Sequence, residues 1–468
     1  MQSLLTFASK HSTLLVLGVL CLGFSLASIV EQPPSPTEAA DQIATRLSPA
    51  DLQRTLIAAT DSPDDAAFSE AFKRRLASSK SPSNSDALQV VRGTPQDVRK
   101  AMTALLAAQS PINNTTASSD PNAAQPSGPS PSRLVVVQSP DTQSWKLFEN
   151  LEEKFPGTDI VLMRAVPTRW PNFLKPNNLI NIVDQIVVIA ILAVGMTLVI
   201  LTGGIDLSVG SLIALSSVLC ARVIRDWGGG PDASITSMIL AGTLALAACG
   251  LCGLFNGSLI VGFGMPPFIA TLGTMLMASG LAFILSQGQS IDAVPDNFIW
   301  LGRGLVLGLP VAVILMLSLY AIAHWVMQNT TYGRYIYAIG GNVVAAKLCG
   351  IRVHYWIVST YVLSSLLAGL GGLVMASRLK SGDAKYGTMY ELYVIAAVVV
   401  GGTSLRGGYG SVLGTLVGAL IIAVIQNGMN LIHIESNTQK VAFGAIILLA
   451  VLFDRLKHSY NPSERSLA

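Results

Sequence analysis

The chain has 468 residues, of which 51% are hydrophobic and only 12% charged, and its net charge is +3. An ordinary soluble domain is about 25% charged, so this composition excludes one, and so small a charge, spread along the loops, excludes nucleic acid as a partner. Several stretches exceed the roughly 20 apolar residues that cross a bilayer, so the lipid bilayer is the chain's first partner and the protein is polytopic.

In chain order, residues 12–28, STLLVLGVLCLGFSLAS, form the first apolar run. Ser25-Leu26-Ala27 resembles a small-x-small cleavage site, so the run reads either as a signal peptide or as a retained first span (domain 1–30). Cys21 follows Leu20, not the small residue that a lipoprotein signal needs. From Glu31 to Arg169 the composition turns polar. Residues 51–59 and 64–77 read as helices, 87–108 as strand, turn and helix, and 133–137 and 159–165 as strands around a helix at 144–155. Residues 115–132, TTASSDPNAAQPSGPSPS, read as a flexible linker. This is a small α/β module (31–169) with no run able to span a bilayer.

From residue 170 to 458 the chain reads as membrane domain, with apolar spans at about 179–201, 207–224, 235–262, 266–287, 304–327, 356–376, 388–402, 411–432 and 440–454. With the first run that makes ten, followed by a tail at 459–468. Basic residues crowd the loop after the sixth span (Arg334, Lys347, Arg352) and follow the tenth (Arg455, Lys457, His458). Ten spans with a cytoplasmic N-terminus place both clusters inside and the 31–169 module outside.

Two glycine-rich breaks interrupt the membrane domain, LTGGIDLSVGS at 201–211 and VGGTSLRGGYGS at 400–411. Both read Gly-Gly, two residues, Leu, then further glycine ending in Gly-Ser. Unwound backbone at membrane depth is tolerated where it is buried in protein or lines a cavity, and matching breaks in two halves of a transporter point to its path. Gly203, Gly204, Asp206, Ser208, Gly210, Gly401 and Gly402 are therefore candidate path or hinge residues. Asp206 either lines the path or caps the helix that begins at Leu207, accepting an N–H near Val209. Asn256, Gln426, Asn427 and Asn430 are amides inside apolar spans, suited to the hydroxyls of a polar solute or to interhelical bonds. Phe268 is an aromatic face for such a solute or a packing residue.

The loop GRYIYAIGGNVVAAKLCGI, 333–351, carries Gly333, Arg334 and a Gly340-Gly341-Asn342 interruption. Asn342 caps a short helix, Val343 to Leu348, and Gly350 ends it. Val344, Ala345 and Leu348 share one face, which suits a groove on a partner. His324 and His433 are isolated, and Cys249-Gly-Leu-Cys252 has no companion His or Cys pair. No metal set, catalytic nucleophile or phosphate loop is expected: neither Lys80-Ser81 nor Lys380-Ser381 follows a glycine,.

The segments ILAVGMTLVILTGGIDLSVGSLIAL, PPFIATLGTM, GRYIYAIGGN, VIAAVVVGGTSLRGGYGSVLGTLVGALI and LLAVLFDRLK together resemble the membrane permease subunit of ribose-type sugar ABC importers, in order and spacing from Pro171 to His458. SLAS followed by PNFLKPNNLINI also fits, as if the first outer loop of that family had been opened after Ser28 to admit the 31–169 module, which favours a retained first span. The resemblance implies an all-α, vitamin-importer-like (type II) permease of about ten helices in the bacterial inner membrane, forming a homodimer. It implies cytoplasmic ABC ATPase subunits that bind the ATP and Mg, leaving this chain without cofactor or enzymatic activity, and an extracytoplasmic sugar-binding protein. The 333–351 loop then matches the coupling helix pressed by the ATPase. Where that family is usually acidic after the Asn, this chain has Val343 and Val344, so docking is expected to be more hydrophobic. The cargo is a monosaccharide such as ribose, or a nucleoside or signalling furanose. A stand-alone secondary transporter or channel is the other class, supported only by Asp184 and Asp206 as acids in or beside spans.

Overall fold

The computed structural model describes residues 12–32, 34–47, 55–78, 89–107, 133–156 and 158–459. Contacts divide the chain into two compact units, one made of the N-terminus to Ser28 together with Pro171 onward, the other of Ile29–Trp170. The linker 115–132 and tail residues 460–468 lie outside the described residues.

The first helix, α1 (Ser12–Ala27), belongs to the larger unit and lays Phe24 against Gly428 and, stacked at 6.4 Å, Phe173. The smaller unit opens and closes with paired strands β1 (Ile29–Gln32) and β6 (Thr168–Pro171), which the Arg169–Glu31 ion pair ties at 3.0 Å. Between them, α2 (Pro36–Ala44), α3 (Pro63–Ser78) and α4 (Pro95–Ala107) flank a parallel sheet of order β3-β2-β4-β5. Its strands are β2 (Thr55–Ala59), β3 (Gln89–Arg92), β4 (Arg133–Gln138) and β5 (Asp159–Met163), with Ile57 opposite Val90 on one side and Val137 on the other. Alternate residues feed two cores: Ile57, Val135 and Val137 meet Phe68 and Phe72, whereas Leu56, Leu134 and Val136 meet Val98 and Met102.

Two expectations fail in this module. The expected helix at 51–59 is strand β2 over its described residues, because all five of its residues are buried in the middle of a parallel sheet, where continuous apolar runs belong,. The expected helix at 144–155 is only a 3₁₀ turn, Lys146–Phe148, and one turn of α5 (Leu151–Lys154), separated by Asn150 at φ 53°.

The larger unit is helical: α6 (Pro176–Leu201), α7 (Val209–Asp226), α8 (Ile235–Gly262), α9 (Pro267–Ser286), α10 (Trp300–Arg303), α11 (Val311–Asn329), α12 (Thr331–Gly341), α13 (Val343–Leu348), α14 (Val353–Leu379), α15 (Tyr390–Val400), α16 (Val412–Leu431) and α17 (Ser436–Ser459). Among the described residues, six (α6, α8, α9, α11, α14, α16) are long and apolar enough to cross a membrane, and α1 and α15 are shorter apolar helices. The span expected at 304–327 starts late, at Val311, because residues 305–310 form a small hairpin turned by Leu307 and Gly308, both at positive φ. The span expected at 388–402 holds only the 11-residue α15, and α7 ends in Arg222, Arg225 and Asp226.

Helix α6 is the hub. It is buried without interruption from Ile186 to Leu201. Hydroxyl contacts pin it: Thr197 bonds Thr415 of α16 at 2.7 Å, and Tyr320 of α11 donates to the Ala190 carbonyl at 3.0 Å. Asp184 near its start is paired with Arg378 of α14 at 2.9 Å.

Candidate functional site

The segment joining α12 to α14 forms as its residues dictate. Asn342 caps α13, its Oδ1 accepting the Ala345 N–H at 3.0 Å, and Gly350, at φ 79°, follows the helix end. Val344 is 67% and Leu348 84% exposed, and Ala345 is exposed beside them, so the apolar face is open. Ala346 points the other way, into a cluster with Ile339 and Val353. Gly333 is buried against the Met327 backbone, while Arg334 and Lys347 are exposed. Behind the segment, Trp356 of α14 takes Tyr332, Tyr335 and Tyr355 at 5.1–5.4 Å between ring centroids. Such edge and tilted ring pairs each add about 0.5–1.5 kcal/mol, and those of Tyr332 and Tyr335 fasten α12 to the start of α14. Tyr332, Tyr335, Tyr355 and Trp356 lie at the two ends of the loop in sequence, but nothing in their spacing shows that they meet.

The two glycine breaks share a local design. After α6, Gly203 takes φ 80° and the Gly204 N–H reaches back to the Val199 carbonyl at 3.1 Å. After α15, Gly402 takes φ 89° and the Thr403 N–H reaches the Val398 carbonyl, also at 3.1 Å. A left-handed residue followed by this six-to-one bond is a Schellman ending, which glycine adopts without steric cost. The weak repeat in the sequence is thus a repeat in structure. Gly401 packs on the Gly414 carbonyl of α16, whose own N-cap is Ser411, accepting the Gly414 N–H at 3.0 Å.

The breaks also touch each other. The Gly408 N–H donates to the Leu201 carbonyl at 2.9 Å. Gly340, one turn before α13, lies against that same bond: a Cβ there would overlap both the Leu201 oxygen and the Gly408 nitrogen. Tyr337 of α12 donates to the Gly410 carbonyl at 2.8 Å. Gly341, by contrast, has nothing within 4 Å of where its Cβ would stand. Three glycine-rich stretches, far apart in sequence, therefore meet backbone to backbone.

Asp206 is fully buried. It does not cap near Val209 as expected. Its Oδ1 accepts the Ser208 N–H and O–H at 3.0 and 2.6 Å, and its Oδ2 accepts the Ser364 O–H of α14 at 2.9 Å. Asn256 of α8 donates to Ser208 Oγ at 3.3 Å and accepts from Thr274 of α9 at 2.6 Å. A side chain at Gly204 would overlap the Tyr361 hydroxyl, and one at Gly210 would overlap Glu391. Thr271, Thr274, Tyr361, Ser364 and Glu391 are polar residues of this region that the sequence did not single out; Glu391 alone carried a signal, as an acid inside an apolar run.

The remaining candidates scatter. Asn427 exchanges amide hydrogen bonds with Asn178 of α6 at 2.9 and 3.1 Å, and Asn430 accepts from Gln439 at 2.8 Å. Gln426 is half-buried. Phe268, at the start of α9, is 52% exposed. Asn256, Asn427 and Asn430 are thus engaged in bonds between helices. A cavity of about 960 Å³ between α8, α14 and residues 296–304 is apolar, lined by Ile239, Leu246, Phe298, Trp300 and Leu373, and holds none of the candidates. Cys249 and Cys252 are free thiols, and the described residues contain no group of three metal-ligating side chains.

A helical bundle with six helices able to cross a membrane among its described residues, two glycine-broken helix ends and an exposed apolar short helix is the architecture of a multi-pass membrane protein. Residues 178–451 match the family described as branched-chain amino acid transport system / permease component, and the chain belongs to that family. It is 41% identical to the ribose import permease of Escherichia coli K12 over 68% of this chain and 96% of that protein. It is 45% identical to the ribose import permease of Bacillus subtilis over 64% and 90%, and 36% identical to the D-allose transport system permease of Escherichia coli K12 over 61% and 85%. Members of the family are transport components, and the chain is a multi-pass inner-membrane protein. No solved structure matches it at a significant level.

Proposed function

We propose that this chain is the membrane-spanning permease subunit of an ATP-driven importer for ribose or a related monosaccharide. The observation that carries the reading is the 41% identity that extends over 96% of a ribose import permease. The chain works as one of two copies, with ATP and Mg handled by separate cytoplasmic ABC ATPase subunits and the sugar delivered by an extracytoplasmic binding protein. The module 31–169 stands on the extracytoplasmic side.

The ATPase grips Val344, Ala345 and Leu348. Their exposure and apolar character, and the absence of acids after Asn342, support an apolar groove on that partner. Motion of the segment reaches both helix breaks at Gly340, through the Leu201–Gly408 contact. The breaks and the helices on either side of them form the passage. No sugar trap is needed in the chain itself, which accords with the engagement of Asn256, Asn427 and Asn430 by Thr274, Asn178 and Gln439 of neighbouring helices.

Asp184 and Asp206 do not support a carrier that works alone. The first is paired with Arg378 and the second is bound by hydroxyls. The test is uptake of labelled ribose, D-allose and leucine into liposomes holding this chain with its ATPase and binding protein. ATP-dependent accumulation of a sugar is expected. Accumulation without the ATPase overturns the reading, and accumulation of leucine alone overturns the cargo.

A further inference from the structure

Helix α14 meets the first glycine break at two points one turn apart. Tyr361, 1% exposed, sets its ring and hydroxyl against Gly204, leaving no room for a Cβ there. Three residues on, Ser364 donates to Asp206 at 2.9 Å. The same carboxyl group accepts two bonds from Ser208, and Ser208 Oγ accepts from Asn256 of α8, which in turn accepts from Thr274 of α9. One acidic side chain thus joins the break to α14 directly, and to α8 and α9 through Ser208 and Asn256. It takes part in none of the ion pairs found among the described residues.

An acid buried among apolar helices costs several kcal/mol when nothing compensates it, and its hydrogen bonds then become strong because the local dielectric is low. A group that served packing alone would be cheaper as an apolar residue. What the acid provides here is a directional tie to α14, and α14 is the helix that leaves the coupling segment. Its first residue, Val353, shares a cluster with Ala346 of α13, and Trp356 knots it to α12. From Val353 to Ser364 is roughly 16 Å along a continuous helix. A rigid helix moved at one end carries whatever is fixed to it further along.

We propose that Asp206 is a positioning residue. Through Ser364 it latches the first glycine break to α14, so that displacement of the coupling segment is delivered to the break by a second route besides Gly340. This rests on the ATP-driven reading above.

The latch is read by hydrogen–deuterium exchange on the full complex of permease and ATPase in lipid nanodiscs, without nucleotide and trapped with ATP and vanadate. In the wild type, exchange at 203–208 shifts by about fivefold or more between the two states. Asp206→Asn keeps an acceptor for Ser208 and a donor for Ser364, and retains that shift. Asp206→Ala and Ser364→Ala reduce it to less than about twofold, while residues 344–349 respond as in the wild type. Ser364→Ala removes a single hydroxyl, so it carries the test even if Asp206→Ala fails to fold. An undiminished shift at 203–208 in Ser364→Ala overturns the latch and leaves the permease reading in place. A wild type whose residues 344–349 do not respond to nucleotide overturns the ATP-driven reading and the latch together.

Discussion

The Gly408 N–H donates to the Leu201 carbonyl at 2.9 Å, and Gly340 lies against both atoms. Two helix breaks and the segment proposed to receive force from the ATPase are therefore in direct backbone contact. The three backbones meet at this point with no side chain between them, so a side chain added at Gly340 cannot be absorbed by a rotamer change.

That contact makes two neighbouring glycines behave oppositely. Gly340→Ala drives a methyl group into the Leu201 oxygen and the Gly408 nitrogen, forcing apart groups that are hydrogen-bonded. Uptake by the reconstituted complex is expected to fall by about tenfold or more, the equivalent of roughly 1.4 kcal/mol of lost coupling. Gly341→Ala meets open space in a helical turn, where alanine stabilises by about 0.4–1 kcal/mol through the unfolded chain. Its uptake should match the wild type. Equal behaviour of the two variants refutes the junction as a site of force transfer.

The exposed face of α13 carries the second prediction. Val344→Asp and Leu348→Asp place a charge where an apolar groove is expected, yet neither side chain packs inside this chain, being 67% and 84% exposed. Membrane levels and thermal stability should hold, while the amount of ATPase that copurifies drops by about tenfold, as for a central contact worth more than 1 kcal/mol. Asn342→Ala acts differently: it removes the cap from Ala345 and costs about 1 kcal/mol of helix stability, so ATPase binding weakens without being abolished. Binding assays with purified permease and ATPase separate these cases.

Much of this was legible in the sequence. Apolar length exposed the spans, Asn342 and Gly350 bracketed α13, and the Gly-Gly-x-x-Leu pattern marked both breaks. What the sequence did not contain was adjacency. Nothing in the spacing of Leu201, Gly340 and Gly408 shows that they touch, because close approach of backbones leaves no mark except glycine, which turns also use. Asp206 was singled out, but its partner Ser364 is one of several serines on α14 and becomes special only by register. The misread segment Thr55–Ala59 shows the converse limit: five residues lack the length to reveal their period, and only burial on both faces of a parallel sheet makes them a strand,.

The Asp184–Arg378 ion pair of the larger unit gives a third prediction. Arg378 donates to both the carboxylate and the carbonyl of Asp184, at 2.9 and 3.0 Å, joining the start of α6 to the end of α14. The two side chains are 32% and 20% exposed for Asp184 and Arg378, so losing one partner strands the other in a poorly hydrated place. Arg378→Ala should lower stability by about 1–3 kcal/mol, seen as an earlier thermal transition in detergent. The double variant Asp184→Ala, Arg378→Ala should recover part of that loss, since the stranded charge is removed with its partner. Additive losses in the double variant contradict the pairing.

The last prediction concerns the inserted module, whose sheet is tied at its carboxyl edge by one residue. Asp65 is fully buried and accepts the N–H and O–H of Thr60 after β2, the O–H of Ser139 after β4, and the N–H of Asp141. These lie between β2 and β4, where the strand order of an open parallel sheet reverses and a crevice normally opens for ligand. Here a carboxylate of the chain itself engages the donors in that crevice. Asp65→Ala leaves the Thr60 and Asp141 donors without an acceptor, while Ser139 keeps Thr142, and should cost the module about 1–3 kcal/mol,. Amide exchange at 56–59 and 135–138 in the full chain should then accelerate by about tenfold for each 1.4 kcal/mol lost. Asp65→Asn keeps one acceptor and should lose less. Amides of α6, in the other compact unit, should not change. Sugar uptake by Asp65→Ala then reports on the module itself: a loss that tracks the accelerated exchange means transport needs the folded module, whereas wild-type uptake from a loosened module means it does not.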